Sequence, residues 1–473
     1  MIDFSDLGAA SLPLRYFEEV TNIPRGSGNT AAIADYLVEF ARARGLFVYR
    51  DGADNVVIRK PANVGFESRP TVIIQGHTDI VCEALADADI DMTKTGPRIY
   101  RDGDYLRAEG TTLGADDGVM LAYALALLDS ADISLPEIEA VFTSDEEIGL
   151  IGAGALDCSV LRGKTLINID SDEEGIFTVG CAGGVRLDLS LPVTRSQEAE
   201  KLYYLSVSGL LGGHSGVEID KGRTNAIKLL GEALSLLSVK GIYSIEGGNA
   251  DNAIPREATA LIALDGVNET ELSKIREIVS KVKKNEPEAE IRLEKTERSG
   301  VPFDPTSSER IIGLIDRIPS GVYKMSSDIV GLVETSSNLG IIHSGENTVS
   351  LTVSLRSSKG EEKDALRARV QKIADEFSAE MSARGEYPGW AYRKDSHLRD
   401  TACRVFKELY GREPKVMTIH AGLECGLFSD KIDGLDCISL GPDNLAIHTP
   451  DEHLSLSSFM RIYEFLISLL KNI

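Results

Sequence analysis

The sequence predicts an α/β fold: a mixed, largely parallel sheet flanked by helices, interrupted by an inserted α+β block. Three observations predict it. Over residues 1 to about 190, strand-like runs alternate with helical runs, the pattern of a parallel sheet with crossover helices. From about 195 to 383 the pattern changes to strand pairs followed by amphipathic helices. From about 385 the alternation returns and runs to the end. A chain of 473 residues exceeds what one core usually serves. The expected organisation is therefore one domain from 1–194 and 384–473, with 195–383 inserted as a lid.

Each element follows from local pattern. Residues 72–76 (VIIQG), 139–143 and 165–169 are short, apolar and bounded by turns, so they read as buried strands, with a buried helix over 119–128. In the middle block, a strand over 202–207 leads into a glycine-rich turn and a helix over 226–237. Strands near Ile242 and over 258–264 precede a helix over 269–282, and residues 283–287 read as a turn. A comparable run recurs: strands over 329–339 and 348–355, then a helix over 361–377. The two runs resemble an internal duplication of the lid, too weak to assert from sequence. A strand over 436–440 and an amphipathic helix close the chain.

Composition narrows the function classes. The 74 acidic and 50 basic residues give a net charge of −24, which argues against nucleic acid and anionic membranes as partners. No apolar run approaches the roughly 20 residues of a membrane span. The segment 1–6 is acidic and lacks a signal-peptide pattern, so a cytoplasmic protein is expected. Six scattered cysteines without a Cys-x-x-Cys pair are expected as buried thiols.

The chemistry sits at strand ends and one helix start. His77-Thr78-Asp79 follows a strand directly, and alternation places His77 and Asp79 on one side, where the carboxylate can accept the second ring N–H. Gly114-Ala115-Asp116-Asp117-Gly118 opens the apolar helix, and a carboxylate there could bridge two metals. Ser144-Asp145-Glu146-Glu147 sets three adjacent carboxylates at a strand end, costly without cations nearby. Neighbouring glutamates can divide the labour, one on metal and one free as a base. Asp170 ends a third strand, and His448 lies in a turn near the far end of the chain. Taken singly these are ordinary caps and acidic turns; together they supply imidazole and carboxylate ligands suited to zinc, with manganese or cobalt able to substitute. A two-metal hydrolase is the reading that follows.

These motifs, in this order, resemble the co-catalytic dizinc peptidases related to carboxypeptidase, acetylornithine deacetylase and peptidase T. Within that group the chain is most similar to the aminoacyl-histidine (Xaa-His, carnosinase-like) dipeptidases. The resemblance spans nearly the whole chain and is carried most specifically by residues 110–118, 180–184, 212–216, 252–257 and 419–426. It implies two zinc ions per chain, with His77 and Asp170 on one, Glu147 and His448 on the other, and Asp116 bridging. It further implies that Asp79 orients His77 and that Glu146 is the base activating a zinc-bound water. From the lid, His214 would stabilise the oxyanion, and Asn252 and Arg356 would hold the substrate carboxylate. His420 and Glu424 would line the site, with Glu424 suited to a substrate ammonium. Two departures, Asp117 in place of the usual Asn and Asp145 in place of a neutral residue, add negative charge beside the site.

The expected partner is a short peptide. Rival readings are a tripeptidase, a general dipeptidase or an amide deacylase with the same chemistry, and an inactive peptide-binding protein on the same fold. The glycines of 149–154 have the wrong spacing for a dinucleotide fingerprint, and no Gly-x-Ser-x-Gly elbow is present. The lid could replace a partner's contribution to the site, or a homodimer could form through it; the sequence leaves both open.

Overall fold

The computed structural model describes every residue except 1, 3, 5, 7, 9, 10, 197, 198, 200, 328 and 330. The acidic segment 1–6 and the start of the strand expected over 329–339 fall partly outside the described residues. The chain divides into two compact units: Met1–Cys181, Trp390–Thr418 and Leu423–Ile473 form the first, Ala182–Gly389 and Ile419–Gly422 the second.

The first unit is built on an eight-stranded sheet. Its order is Phe47–Arg50, Val56–Lys60, Ile138–Thr143, Val72–His77, Thr165–Asn168, Asp436–Ser439, Ile176–Cys181, Lys415–Ile419. The four strands from Ile138–Thr143 to Asp436–Ser439 run parallel, and Phe47–Arg50, Val56–Lys60 and Ile176–Cys181 add antiparallel pairings at the two sides. Val72–His77 and Ile138–Thr143 are buried at every position, which explains why they are mostly apolar. The helix Ala115–Asp129 is apolar almost all round and buried along nearly its whole length. Its first turn departs from helical geometry at Asp116 and Asp117, which are joined by a cis peptide bond. The last helix, Leu456–Asn472, is capped by Ser455 and lays one apolar face into the same core.

The second unit has its own core and a nine-stranded sheet. From one edge the order is Glu290–Lys295, Tyr203–Ser208, Ala258–Leu264, Val239–Gly247. From the other edge it is Glu380–Tyr387, Gly183–Pro192, Thr348–Ser357, Val333–Ser344, with Gly321–Met325 paired beside the last. The halves meet antiparallel where Glu246 and Gly247 face His343 and Ile342. With Gly321–Met325 set aside and Gly183–Pro192 taken as the second half's first strand, both halves run strand, helix, two strands, helix, edge strand, so the layout is two-fold although the sequences barely show it.

Two boundaries differ from expectation. Gly183–Pro192 pairs along its full length with Thr348–Ser357 and belongs to the second unit, moving the first boundary from 194 to 181. Glu380–Tyr387 also pairs with Gly183–Pro192, which moves the second from 383 to 389, and His420 falls in the second unit. All six cysteines are free, but only Cys181, Cys425 and Cys437 are buried and Cys82 is exposed, short of the uniform burial expected. Among the described residues no helix is long and apolar enough to cross a membrane.

Candidate metal centre

Parallel pairing brings the ligand-bearing segments of the first unit to one sheet edge. His77 is in register with Thr143, and Gln75 with Asn168, so the chain leaves three neighbouring strands side by side at their carboxyl ends. His77, Glu146, Glu147 and Asp170 follow from those ends. Asp116 enters from the irregular first turn of its helix, and His448 from the turn between the short strands Asn444–Leu445 and His453–Ser455.

Asp116 is the hub. Its Oδ1 lies 2.9 Å from His77 Nε2 and its Oδ2 lies 3.1 Å from His448 Nε2. Asp170 Oδ1 lies 3.7 Å from His77 Nε2, and Glu147 Oε1 lies 2.8 Å from His448 Nε2. His77, Asp116 and Asp170 thus converge as one potential ligand group, and Asp116, Glu147 and His448 as another. His448 and Asp145 adopt left-handed backbone conformations (φ 62° and 51°). Such geometry in non-glycine residues costs about 1–3 kcal/mol each and clusters at functional sites.

Asp79 does something different from what its spacing suggests. The ring N–H at His77 Nδ1 donates to the Asp79 backbone carbonyl at 3.0 Å, while the carboxylate stays 3.5 Å away. The carbonyl fixes the tautomer that leaves Nε2 as the donor atom toward a metal. The Asp79 carboxylate instead accepts from the backbone amides of Glu146 (2.9 Å) and Glu147 (3.3 Å) and from Ser27 Oγ (2.7 Å). It therefore anchors the segment carrying both glutamates. Asp145 accepts from the Gly28 amide at 2.6 Å, holding the same segment from the other side.

The electrostatics are those of a cage built for cations. Burial alone would lower the His77 pKa, but the neighbouring carboxylates of Asp116, Asp170 and Asp79 hold it well above the usual histidine value. His448 is raised to about 10 by Asp116 and Glu147. Burial pushes Asp170 up to about 6, and burial together with Asp170, Glu424 and Glu147 holds Glu146 well above the carboxylate range. Imidazole nitrogens and carboxylate oxygens in this arrangement fit zinc and similar divalent ions. Asp117, next to Asp116, is held by the main chain. It is buried, its pKa is raised well above normal by burial and Asp170, and its oxygens accept from the amides of His77 and Met120.

The lid candidates sit in the second unit. His214 Nδ1 accepts from the Gly216 and Val217 amides, both at 3.2 Å, which leaves Nε2–H as an outward donor. Burial and then Arg356 lower its pKa. His420 Nε2 is 2.7 Å from Ser336 Oγ, and Ser336 is in register with Arg356. Arg356 Nη1 donates to the Tyr387 hydroxyl at 3.1 Å, while its buried Nε has no partner, as expected of a guanidinium awaiting an anion. Asn252 is exposed, and its carbonyl accepts from the Ser215 amide at 2.8 Å. Glu424, in the first unit, is 0% exposed; its Oε2 accepts from Gln75 and Thr143 at 2.5 and 2.7 Å, and its buried Oε1 has no partner among the described residues. Burial pushes its pKa up to about 7.

Sequence reasoning missed four residues that support this site: Arg25, Ser27, Gln75 and Glu452. Glu452 carried a signal, lying four residues after His448 in an acidic turn. Arg25 carried none, because its partners are backbone carbonyls 53 and 89 residues away.

Residues 73–472 match peptidase family M20/M25/M40. The cytosol non-specific dipeptidase of Escherichia coli (strain K12) is 35% identical over 97% of this chain and 96% of its own length. The crystal structure of an aminoacylhistidine dipeptidase from Vibrio alginolyticus superposes with a TM-score of 0.90 at 34% identity, over 99% of both chains. A tripeptidase from Staphylococcus aureus has a TM-score of 0.59 at 19% identity, covering 98% of this chain and 97% of its own, a likeness of fold.

Proposed function

The chain belongs to peptidase family M20/M25/M40, and on that premise we propose that it is a metal-dependent dipeptidase, acting on Xaa-His dipeptides in the cytoplasm. The observation that carries the metal reading is the division of Asp116's two oxygens between two histidines, each beside a further carboxylate. His77 and Asp170 would hold one zinc ion, Glu147 and His448 the other, with Asp116 shared. A divalent ion held there would supply polarisation of the scissile carbonyl and a lowered pKa, toward about 7, for bound water.

The chain's own groups do the rest. Glu146 takes the proton from the attacking water and returns it to the leaving amine. Its raised pKa suits a group that must hold a proton between those steps. Asp79 keeps Glu146 and Glu147 in fixed relation through their amides. His214 offers Nε2–H to the developing oxyanion. Arg356 takes the substrate carboxylate, with His420, Ser336 and Asn252 assisting. Glu424 supports the His77 strand end through Gln75 by its Oε2.

Broader dipeptide specificity is the second reading, favoured by the 35% identity to a dipeptidase described as non-specific. The test is metal content together with hydrolysis of Xaa-His dipeptides, other dipeptides, tripeptides and acyl-amino acids. Chelation should abolish turnover, and zinc, manganese or cobalt should restore it. Equal cleavage of dipeptides lacking histidine would remove the Xaa-His assignment, and activity that survives full chelation would remove the metal reading.

A further inference from the structure

The segment carrying Asp116 is gripped by two buried charges, and each grip leads to a different histidine. Arg25 is 1% exposed; its Nη1 donates to the Thr78 carbonyl at 2.9 Å and its Nη2 to the Gly114 carbonyl at 2.6 Å. One side chain therefore ties the peptide after His77 to the peptide two residues before Asp116. Its own carbonyl accepts from the Ile80 amide at 3.1 Å, closing the link to the His77 segment. The fit depends on glycine: a Cβ at Gly114 or Gly118 would lie 3.2 or 2.7 Å from Nη2.

Glu452 grips the same segment from its amide side. Oε2 accepts from Leu113 and Gly114 at 2.8 and 2.9 Å, and Oε1 from Ala115 and Asp116 at 2.9 and 3.4 Å. Asn444 Nδ2 adds a contact to Oε1 at 3.2 Å. Glu452 lies four residues beyond His448 in the same turn, and its amide closes that turn on the Thr449 carbonyl at 3.1 Å.

Burying an arginine and a glutamate costs several kcal/mol per ion, and apolar residues would often serve stability as well or better. What apolar residues cannot do is hold named backbone atoms of two chain-distant loops at hydrogen-bond distance. We propose that Arg25 and Glu452 are positioning residues that set the two metal positions separately: Arg25 fixes Asp116 against His77, and Glu452 fixes it against His448. The inference rests on the metal reading given above.

The experiment titrates the full-length apoprotein with zinc by calorimetry and with cobalt by visible absorption. His77→Ala and His448→Ala define the signal lost with each position. Arg25→Lys, which keeps the charge and loses the two-armed fork, should weaken the position removed by His77→Ala by about 10–100-fold, the usual effect of an outer-shell partner. Glu452→Gln should weaken the position removed by His448→Ala by a similar factor. In each variant the other position should change far less. If both variants weaken the same position, or neither changes while the wild type binds two ions, the inference is overturned. A wild type that binds no metal overturns the metal reading instead, which separates the two failures. Should either variant fail to fold by circular dichroism, Gly118→Ala, pressing on Nη2, and Asn444→Ala, removing a donor to Glu452, make the same comparison.

Discussion

Asp79→Asn separates two accounts of this aspartate. If the carboxylate acted through His77, the change would disturb metal binding at that histidine. The structure gives the His77 ring N–H to the Asp79 backbone carbonyl, which the substitution leaves in place. What Asn cannot keep is the full set of acceptors. Oδ1 takes the Glu146 amide, and Oδ2 takes the Glu147 amide and Ser27 Oγ. An NH2 group must then face at least one N–H or O–H donor. Losing one hydrogen bond to a charged acceptor and stranding its donor is worth about 1.5–3 kcal/mol. Because the freed segment carries Glu146, a displacement near 1 Å would lower kcat by roughly 100-fold. The expected result is a kcat loss of that order with KM little changed and metal content intact, measured by steady-state dipeptide hydrolysis and elemental analysis. Retained kcat with depleted metal would refute the reasoning and return Asp79 to the role of His77's orienter.

Three further outcomes follow from other parts of the molecule. Glu146→Gln should lower kcat by at least 10²–10⁴-fold, the range of general acid–base catalysis, with metal retained, whereas Glu147→Gln should lose metal; the same two assays read both. His420 is pushed down to about 4 by burial and then Arg356. Its folded pKa lies below its unfolded value near 6.5, so the stabilisation is complete above about pH 6.5 and declines as pH falls toward 4. The slope is at most about 1.4 kcal/mol per pH unit, and denaturant melts across that window should flatten in His420→Gln. Arg59→Met leaves the fully buried Glu139 without its guanidinium partner at 2.8 Å. That should destabilise the first unit by about 3 kcal/mol, the low end for a broken buried pair, because the Arg162 and Gly163 amides still reach Glu139; thermal melting measures it.

Much of this molecule was legible in its sequence because the responsible forces are local or periodic. The runs at 72–76 and 139–143 had to be buried strands, and residues 119–128 a buried helix, since nothing else hides such stretches from water. Carboxylates crowded at strand ends without nearby cations pointed to metal before any coordinates. The misplaced boundaries have an equally physical cause. Gly183–Pro192 alternates like any half-buried strand, and only its register with Thr348–Ser357 reveals the sheet it joins. The two-fold layout of the second unit was faint because it resides in pairing order, which side chains encode loosely.

The sequence by itself indicated the fold class and a division into two units, and it nominated the His, Asp and Glu residues at strand ends as candidates for metal. Side-chain type and spacing are sufficient to nominate them, and the resemblance supplied their assignment. Only the tertiary structure decided which atom does what. Asp79 serves Glu146 and Glu147 through backbone amides, Asp117 accepts from the amides of His77 and Met120, and Glu424 is buried against Gln75 and Thr143. Arg25 and Glu452 reach carbonyls and amides far along the chain. Hydrogen bonds to the main chain leave no trace in residue identity, since every non-proline position offers the same N–H and C=O, so the partners had to be seen in space.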